Sequence, residues 1–128
     1  MAAKSKGHGR VVFDDLAFTE DLRYASTNGR AVARATRDTY ERDGCPVKDL
    51  LACENEAVDG TRLPRCVKVY LPRPTGRFGM VFEIDRQNRQ LVLAYLAFGV
   101  RHHPRSSHVP TVYRTAHRRL HCQGRLRS

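Results

Sequence analysis

The chain has 128 residues, 41% of them apolar, and a formal charge of +10. That length suits one domain with one core, and that apolar share excludes a wholly disordered chain. The longest apolar run, Leu91 to Val100, is too short to cross a bilayer, so no membrane association is expected.

The charge is unevenly placed. Residues 61–128 hold fourteen Lys/Arg and two acids, Glu83 and Asp85, whereas residues 1–60 hold nine Lys/Arg and eleven acids. The excess of +12 in one half points to a partner that carries phosphates, or to an acidic protein that imitates one. Cys45, Cys53, Cys66 and Cys122 form no CxxC and match no common zinc spacing. Residues 1–9 read as a short mobile basic arm with no hydrophobic segment behind it, hence no signal peptide. The expected compartment is the cytoplasm with reduced thiols.

A first strand is expected over Val11 to Leu16, with Phe13 as its anchor. Thr19-Glu20-Asp21-Leu22 reads as a helix start, and Asn28-Gly29 as its end. A second helix is expected from Arg30 to Arg42, with Val32, Ala35 and Thr39 on its buried face and Ala31 and Tyr40 flanking them. Asp43-Gly44-Cys45-Pro46 ends it. Val47 to Ala57 is a short helix or an ordered loop, and Asp59-Gly60 a turn.

The remainder reads as β followed by a last helix. Cys66 to Leu71 alternates, with Val67, Val69 and Leu71 on one face and Cys66, Lys68 and Tyr70 on the other. Pro72 to Gly76 turns the chain. Phe78, Met80, Phe82 and Ile84 alternate in a second strand, Asp85 to Arg89 forms a loop, and Leu91 to Val100 is apolar on both faces, as a covered central strand would be. Arg101 to Pro110 is a basic loop, Thr111 to Cys122 a helix, and the tail beyond it frays. The order predicts an α+β domain over residues 10–123, with residues 124–128 as the frayed tail: a strand, two helices, a three-stranded antiparallel meander and a helix. Helices would cover the apolar sheet face, leaving Lys68, Tyr70 and Arg77 on the opposite face and Arg101 at its rim.

These stations resemble the RelE/ParE superfamily of type II toxin–antitoxin toxins, and its RelE-like branch in particular. The resemblance lies in Cys66-Val-Lys-Val-Tyr-Leu71, in Gly76-Arg-Phe-Gly-Met-Val-Phe-Glu-Ile-Asp85, in Leu91 to Arg101 closing on Gly-x-Arg, and in Val112-Tyr113 opening the last helix. It implies a β-α-α-β-β-β core with a C-terminal helix. It also implies a ribosome-dependent mRNA endonuclease that inhibits translation, uses no metal or other cofactor, and is held in check by an acidic antitoxin. In such chemistry the RNA 2′-hydroxyl attacks the neighbouring phosphate while basic groups stabilise the developing charge.

Residue by residue, the resemblance assigns Lys68 to a phosphate contact or proton transfer, Arg101 to a transition-state clamp, and Tyr113 to a base or stacking platform. Two stations depart from the family pattern. The second strand lysine is Tyr70, and the arginine of the Gly-Tyr-Arg strand falls on Gly79. Arg77, two residues earlier and about 7 Å along a strand, is the substitute candidate. His102 is a further proton-transfer candidate, because imidazole titrates nearest neutrality. Arg65, Tyr70, Arg73, His103, Arg118 and Arg119 are candidate RNA contacts. His117 and His121, spaced i, i+4, would make a metal half-site, but with no third ligand nearby a solvated helix face is expected. The alternatives are a ParE-like inhibitor of a topoisomerase and a degenerate relative that binds RNA or antitoxin without cleaving.

Overall fold

The computed structural model describes residues 7–53, 55–56, 61–72, 77–102 and 109–122. Its elements are β1 (His8–Val12), α1 (Asp15–Leu22), α2 (Thr27–Asp43), β2 (Cys45–Pro46), a 3-10 turn (Val47–Asp49), β3 (Leu51–Ala52), β4 (Asn55–Glu56), β5 (Thr61–Arg62), β6 (Cys66–Tyr70), β7 (Phe78–Gln87), β8 (Gln90–Val100) and α3 (Val112–Cys122). The fold is α+β, with three helices and a curled six-stranded sheet ordered β2-β1-β8-β7-β6-β3. β1 runs parallel to β8; the other pairings in this sheet are antiparallel. β4 and β5 pair separately.

Local chemistry moves several expected boundaries. The Asp14 carboxylate accepts from the Ala17 amide at 3.1 Å, so α1 starts at Asp15 and the helix start is not Thr19. The first strand shifts accordingly to His8–Val12, and His8 and Gly9, expected in the mobile arm, pair with Pro46 and Cys45. The Ser26 hydroxyl accepts from the Gly29 amide at 3.1 Å, which places Asn28-Gly29 in the first turn of α2 rather than at the end of α1. Gly29 is there for close approach, since a Cβ would sit 3.1 Å from the Phe78 ring. The buried face of α2 runs through Gly29 and Ala33, with Val32 and Tyr40 half-buried, while Ala35 and Thr39 are exposed. Gly44 ends α2 at φ 81°, as expected.

The expected loop after β7 is a two-residue turn. β7 continues to Gln87 and β8 starts at Gln90, with Asn88 and Arg89 at φ 51° and 67°. Two positive φ values in a two-residue hairpin are the signature of a type I′ turn, whose twist matches that of the flanking strands.

The sheet is covered on both faces: β8 as its apolar run predicts, while α3 lies over the face expected to stay open with Lys68, Tyr70 and Arg77. α1 and α2 pack Phe18, Leu22 and Ala33 against Met80, Phe82, Leu93, Tyr95 and Phe98. α3 packs Val112, Tyr113, Ala116 and Leu120 against the other face, on Cys66, Val81, Leu96 and Ala97. A bulge makes this possible: Val81 pairs with Ala97 and Phe82 with Tyr95, leaving Leu96 as the extra residue. Leu96 and Ala97 therefore both join the α3 core.

β1 pairs with β8 only through Val92, Leu93 and Ala94. Beyond that point, side chains satisfy the β8 backbone. The Phe98 amide donates to Asp21 at 3.0 Å, and Arg119 donates to the Leu96 carbonyl at 2.6 Å. This ties α1, β8 and α3 together.

The Asp59-Gly60 turn, the Pro72–Gly76 turn beyond Pro72, most of the basic loop after Arg101, residues 1–6 of the arm and the tail lie outside the described residues. Among the described residues no helix is long and apolar enough to cross a membrane.

Candidate functional site

The site begins with a row of small residues. Tyr70 on β6 stands opposite Gly79 on β7, which stands opposite Gly99 on β8. Two glycines side by side leave a trough across the sheet face. Its two parts are filled differently. A Cβ at Gly79 would meet the Val69 carbonyl oxygen at 3.1 Å and the Arg101 Cγ at 3.5 Å, so the aliphatic stem of Arg101 lies over this glycine. A Cβ at Gly99 would meet Val112 Cα at 3.5 Å, so the start of α3 lies over that one.

Thr111 fixes how α3 enters. It is fully buried and bridges to Val100, and its hydroxyl accepts from the Arg114 amide at 3.2 Å. The next residues, Val112 and Tyr113, are thereby pressed onto the sheet and are 1% and 2% exposed.

The result is a cluster of two cations and two tyrosines. The Arg101 guanidinium lies 3.8 Å from the Tyr70 ring centre, and its amide donates to the Arg77 carbonyl at 2.8 Å. The Lys68 ammonium sits between two rings, 5.4 Å from that of Tyr70 and 5.1 Å from that of Tyr113, and donates to the Tyr113 hydroxyl at 3.5 Å. Contacts of a cation with an aromatic face are worth about 0.5–2 kcal/mol each and fix the cation's direction. Tyr70 remains 44% exposed, so the cluster opens to solvent at this ring. Lys68 and Arg101 are half-buried, where a cation attracts an anion more strongly than at a fully hydrated position. The arrangement sets two cations against the Tyr70 ring, with a phenol–ammonium pair beside it.

Lys68, Tyr70, Arg101 and Tyr113 are thus brought together from four places in the chain. Arg77 is exposed just before β7 and meets the cluster through its backbone carbonyl. His102 is exposed beside Arg101. Arg65 lies at the far end of β6, where it pairs with Glu83 at 3.4 Å. Arg118 is exposed on α3.

Arg119 is a correction. Expected at an RNA surface, it is 5% exposed and binds both Asp21 oxygens at 2.8 Å, Glu20 at 3.0 Å and the Leu96 carbonyl. It falls on the inner side of α3, one residue from fully buried Leu120. Arg73 and His103 lie outside the described residues.

The sequence reading missed the part played by Gly79. A lone glycine inside an alternating strand signals the close approach of another group, and here that group is Arg101. Asp21 was also missed, because nothing local distinguishes it from the other acids of a helix.

No protein-family model matches the chain, nor does any curated protein. A solved structure similar to it is that of a mutant of the Escherichia coli toxin RelE in the free state, with a TM-score of 0.43 and 16% sequence identity over 73% of this chain and 83% of that one.

Proposed function

We propose that this chain is a RelE-like toxin of a type II toxin–antitoxin system, a ribosome-dependent mRNA endonuclease whose cognate partner is an acidic antitoxin. The observation that carries the reading is the convergence of Lys68, Tyr70, Arg101 and Tyr113, with Arg101 stacked on Tyr70 and Lys68 donating to Tyr113.

The reaction is attack of an RNA 2′-hydroxyl on the adjacent phosphorus. The bond to the 5′-oxygen breaks, leaving a 2′,3′-cyclic phosphate and a 5′-hydroxyl. Arg101 and Lys68 would hold the non-bridging oxygens as charge builds on them. The Lys68–Tyr113 pair would pass protons: one leaves the attacking 2′-oxygen and one reaches the departing 5′-oxygen. Tyr70 offers its exposed ring to a neighbouring base. The ribosome would supply the alignment of message and attacking hydroxyl that so small a cluster lacks, so free RNA should be a poor substrate.

The test is cleavage of mRNA on translating ribosomes by the wild type, Arg101→Ala and Tyr113→Phe. Cleavage by the wild type, with Arg101→Ala lower by about 100-fold or more, supports the reading. No wild-type cleavage with intact RNA binding would leave a binding protein in its place. Gyrase-dependent DNA damage on expression would favour a ParE-like activity.

A further inference from the structure

We infer that His117 and His121, on the outer side of α3, form a binding site for a divalent transition-metal ion of tetragonal preference, Ni2+ or Cu2+. The two rings lie one helical turn apart, and their Nε2 atoms converge to 3.0 Å, with ring centres 4.3 Å apart. Two nitrogens at that distance either share a proton or share a cation that replaces it.

The separation selects the kind of cation. At a metal–nitrogen distance of about 2.05 Å, an Nε2–Nε2 separation of 3.0 Å subtends about 94° at the metal. A tetrahedral ion would need the nitrogens about 3.35 Å apart at the same bond length. An angle near 90° is that of adjacent ligands in square-planar or octahedral coordination, which Cu2+ and Ni2+ favour. Among the described residues no group of three or more His, Cys, Asp and Glu converges on one point, so water would complete the shell.

The surroundings moderate the site without blocking it. The Arg114 charge opposes a bound cation, which predicts modest affinity. A bound ion would bridge consecutive turns of α3 in the stretch that also carries Arg119. The proposed nuclease cluster draws Tyr113 from the same helix, one turn before His117, and neither histidine is among its residues.

The test is calorimetric titration of the full chain, thiols reduced, with NiCl2 at neutral pH, alongside His117→Ala, His121→Ala and a His8→Ala control. Both helix positions face outward and alanine favours helix, so the variants should fold, which their metal-free melting temperatures will confirm. One Ni2+ per chain is expected. Losing a metal's outer-shell partner costs about 10–100-fold in affinity, and losing one of two ligands should cost at least as much in each helix variant. His8→Ala should bind as the wild type does, and Ni2+ should raise the melting temperature of these two proteins alone. Absence of binding, or equal binding by the helix variants, would overturn the site. Tighter binding of Zn2+ than of Ni2+ would overturn the assigned geometry.

Discussion

Arg119 and Asp21 meet through two hydrogen bonds of 2.8 Å, one from each terminal guanidinium nitrogen, although helices α3 and α1 that carry them sit on different faces of the sheet. They meet where β8 runs on past its last pairing with β1. Asp21 also accepts from the Phe98 amide and the Tyr95 hydroxyl, and Arg119 donates to the Leu96 carbonyl. The pair takes the place of a neighbouring strand. Removing one partner leaves a buried charge and unmet backbone groups, a cost of about 3–5 kcal/mol. Arg119→Ala should therefore lower the denaturant midpoint sharply, while Arg118→Ala at the next position should barely move it. A double variant, Asp21→Leu with Arg119→Met, should lose less than the sum of its singles, as a double-mutant cycle by urea unfolding will show.

Gly79 leaves no room for a side chain. The space above it is taken by the Arg101 stem, and the Val69 carbonyl would be 3.1 Å from any added Cβ. Placing a side chain here should therefore harm the cluster. Gly79→Arg is expected to displace Arg101 from Tyr70 and reduce RNA affinity despite the added charge. Gly79→Ala should cost about 1 kcal/mol of stability by overpacking, with a larger proportional loss of RNA binding. Electrophoretic mobility shift with single-stranded RNA, beside thermal melts, separates the two effects. An Arg variant that binds RNA more tightly than the wild type would refute the trough.

Much of this arrangement was legible in the sequence because strand parity is a short-range signal. Cys66, Lys68 and Tyr70 were placed on one face by alternation alone, and the ten-residue apolar run at Leu91–Val100 announced a strand covered on both sides. The position of α3 was not legible. It depends on the bulge at Leu96 and on the close approach at Gly99, and neither leaves a periodic trace. Arg119 shows the same limit: one residue separates it from exposed Arg118, and only the helix phase decides which is buried. The helix boundaries were displaced because Asp14, rather than Thr19, caps α1, and because Ser26 starts α2 ahead of Asn28-Gly29, the pair read as the end of the helix before it.

The β7–β8 hairpin offers a stabilising change. Its turn holds Asn88 and Arg89 at positive φ, a region that asparagine adopts at lower cost than arginine does. Asn-Gly is the preferred pair for a type I′ turn. Arg89→Gly should raise stability by about 0.5–1 kcal/mol once the added freedom of the unfolded chain is set against the relieved backbone. The expected readout is a higher urea midpoint with an unchanged slope.

Cys45 makes stability fall in alkali. It is fully buried beside Tyr40, and loss of hydration pushes its pKa from 9.0 up to about 11. The unfolded chain therefore releases this proton at a lower pH than the folded one. The contribution is fully present below pH 9 and is lost as pH rises towards 11, by roughly 2–3 kcal/mol. Tyr95 acts in the same direction, since burial and then the Asp21 carboxylate raise its pKa well above 10. Urea midpoints measured from pH 8 to pH 11 should fall for the wild type and fall less steeply for Cys45→Ala. That variant begins less stable by the contacts of the buried sulfur it gives up, so the slope with pH, not the midpoint at one pH, is the quantity to compare. Ellman's reagent should leave Cys45 unreacted until the chain unfolds, because the thiolate is the reactive form.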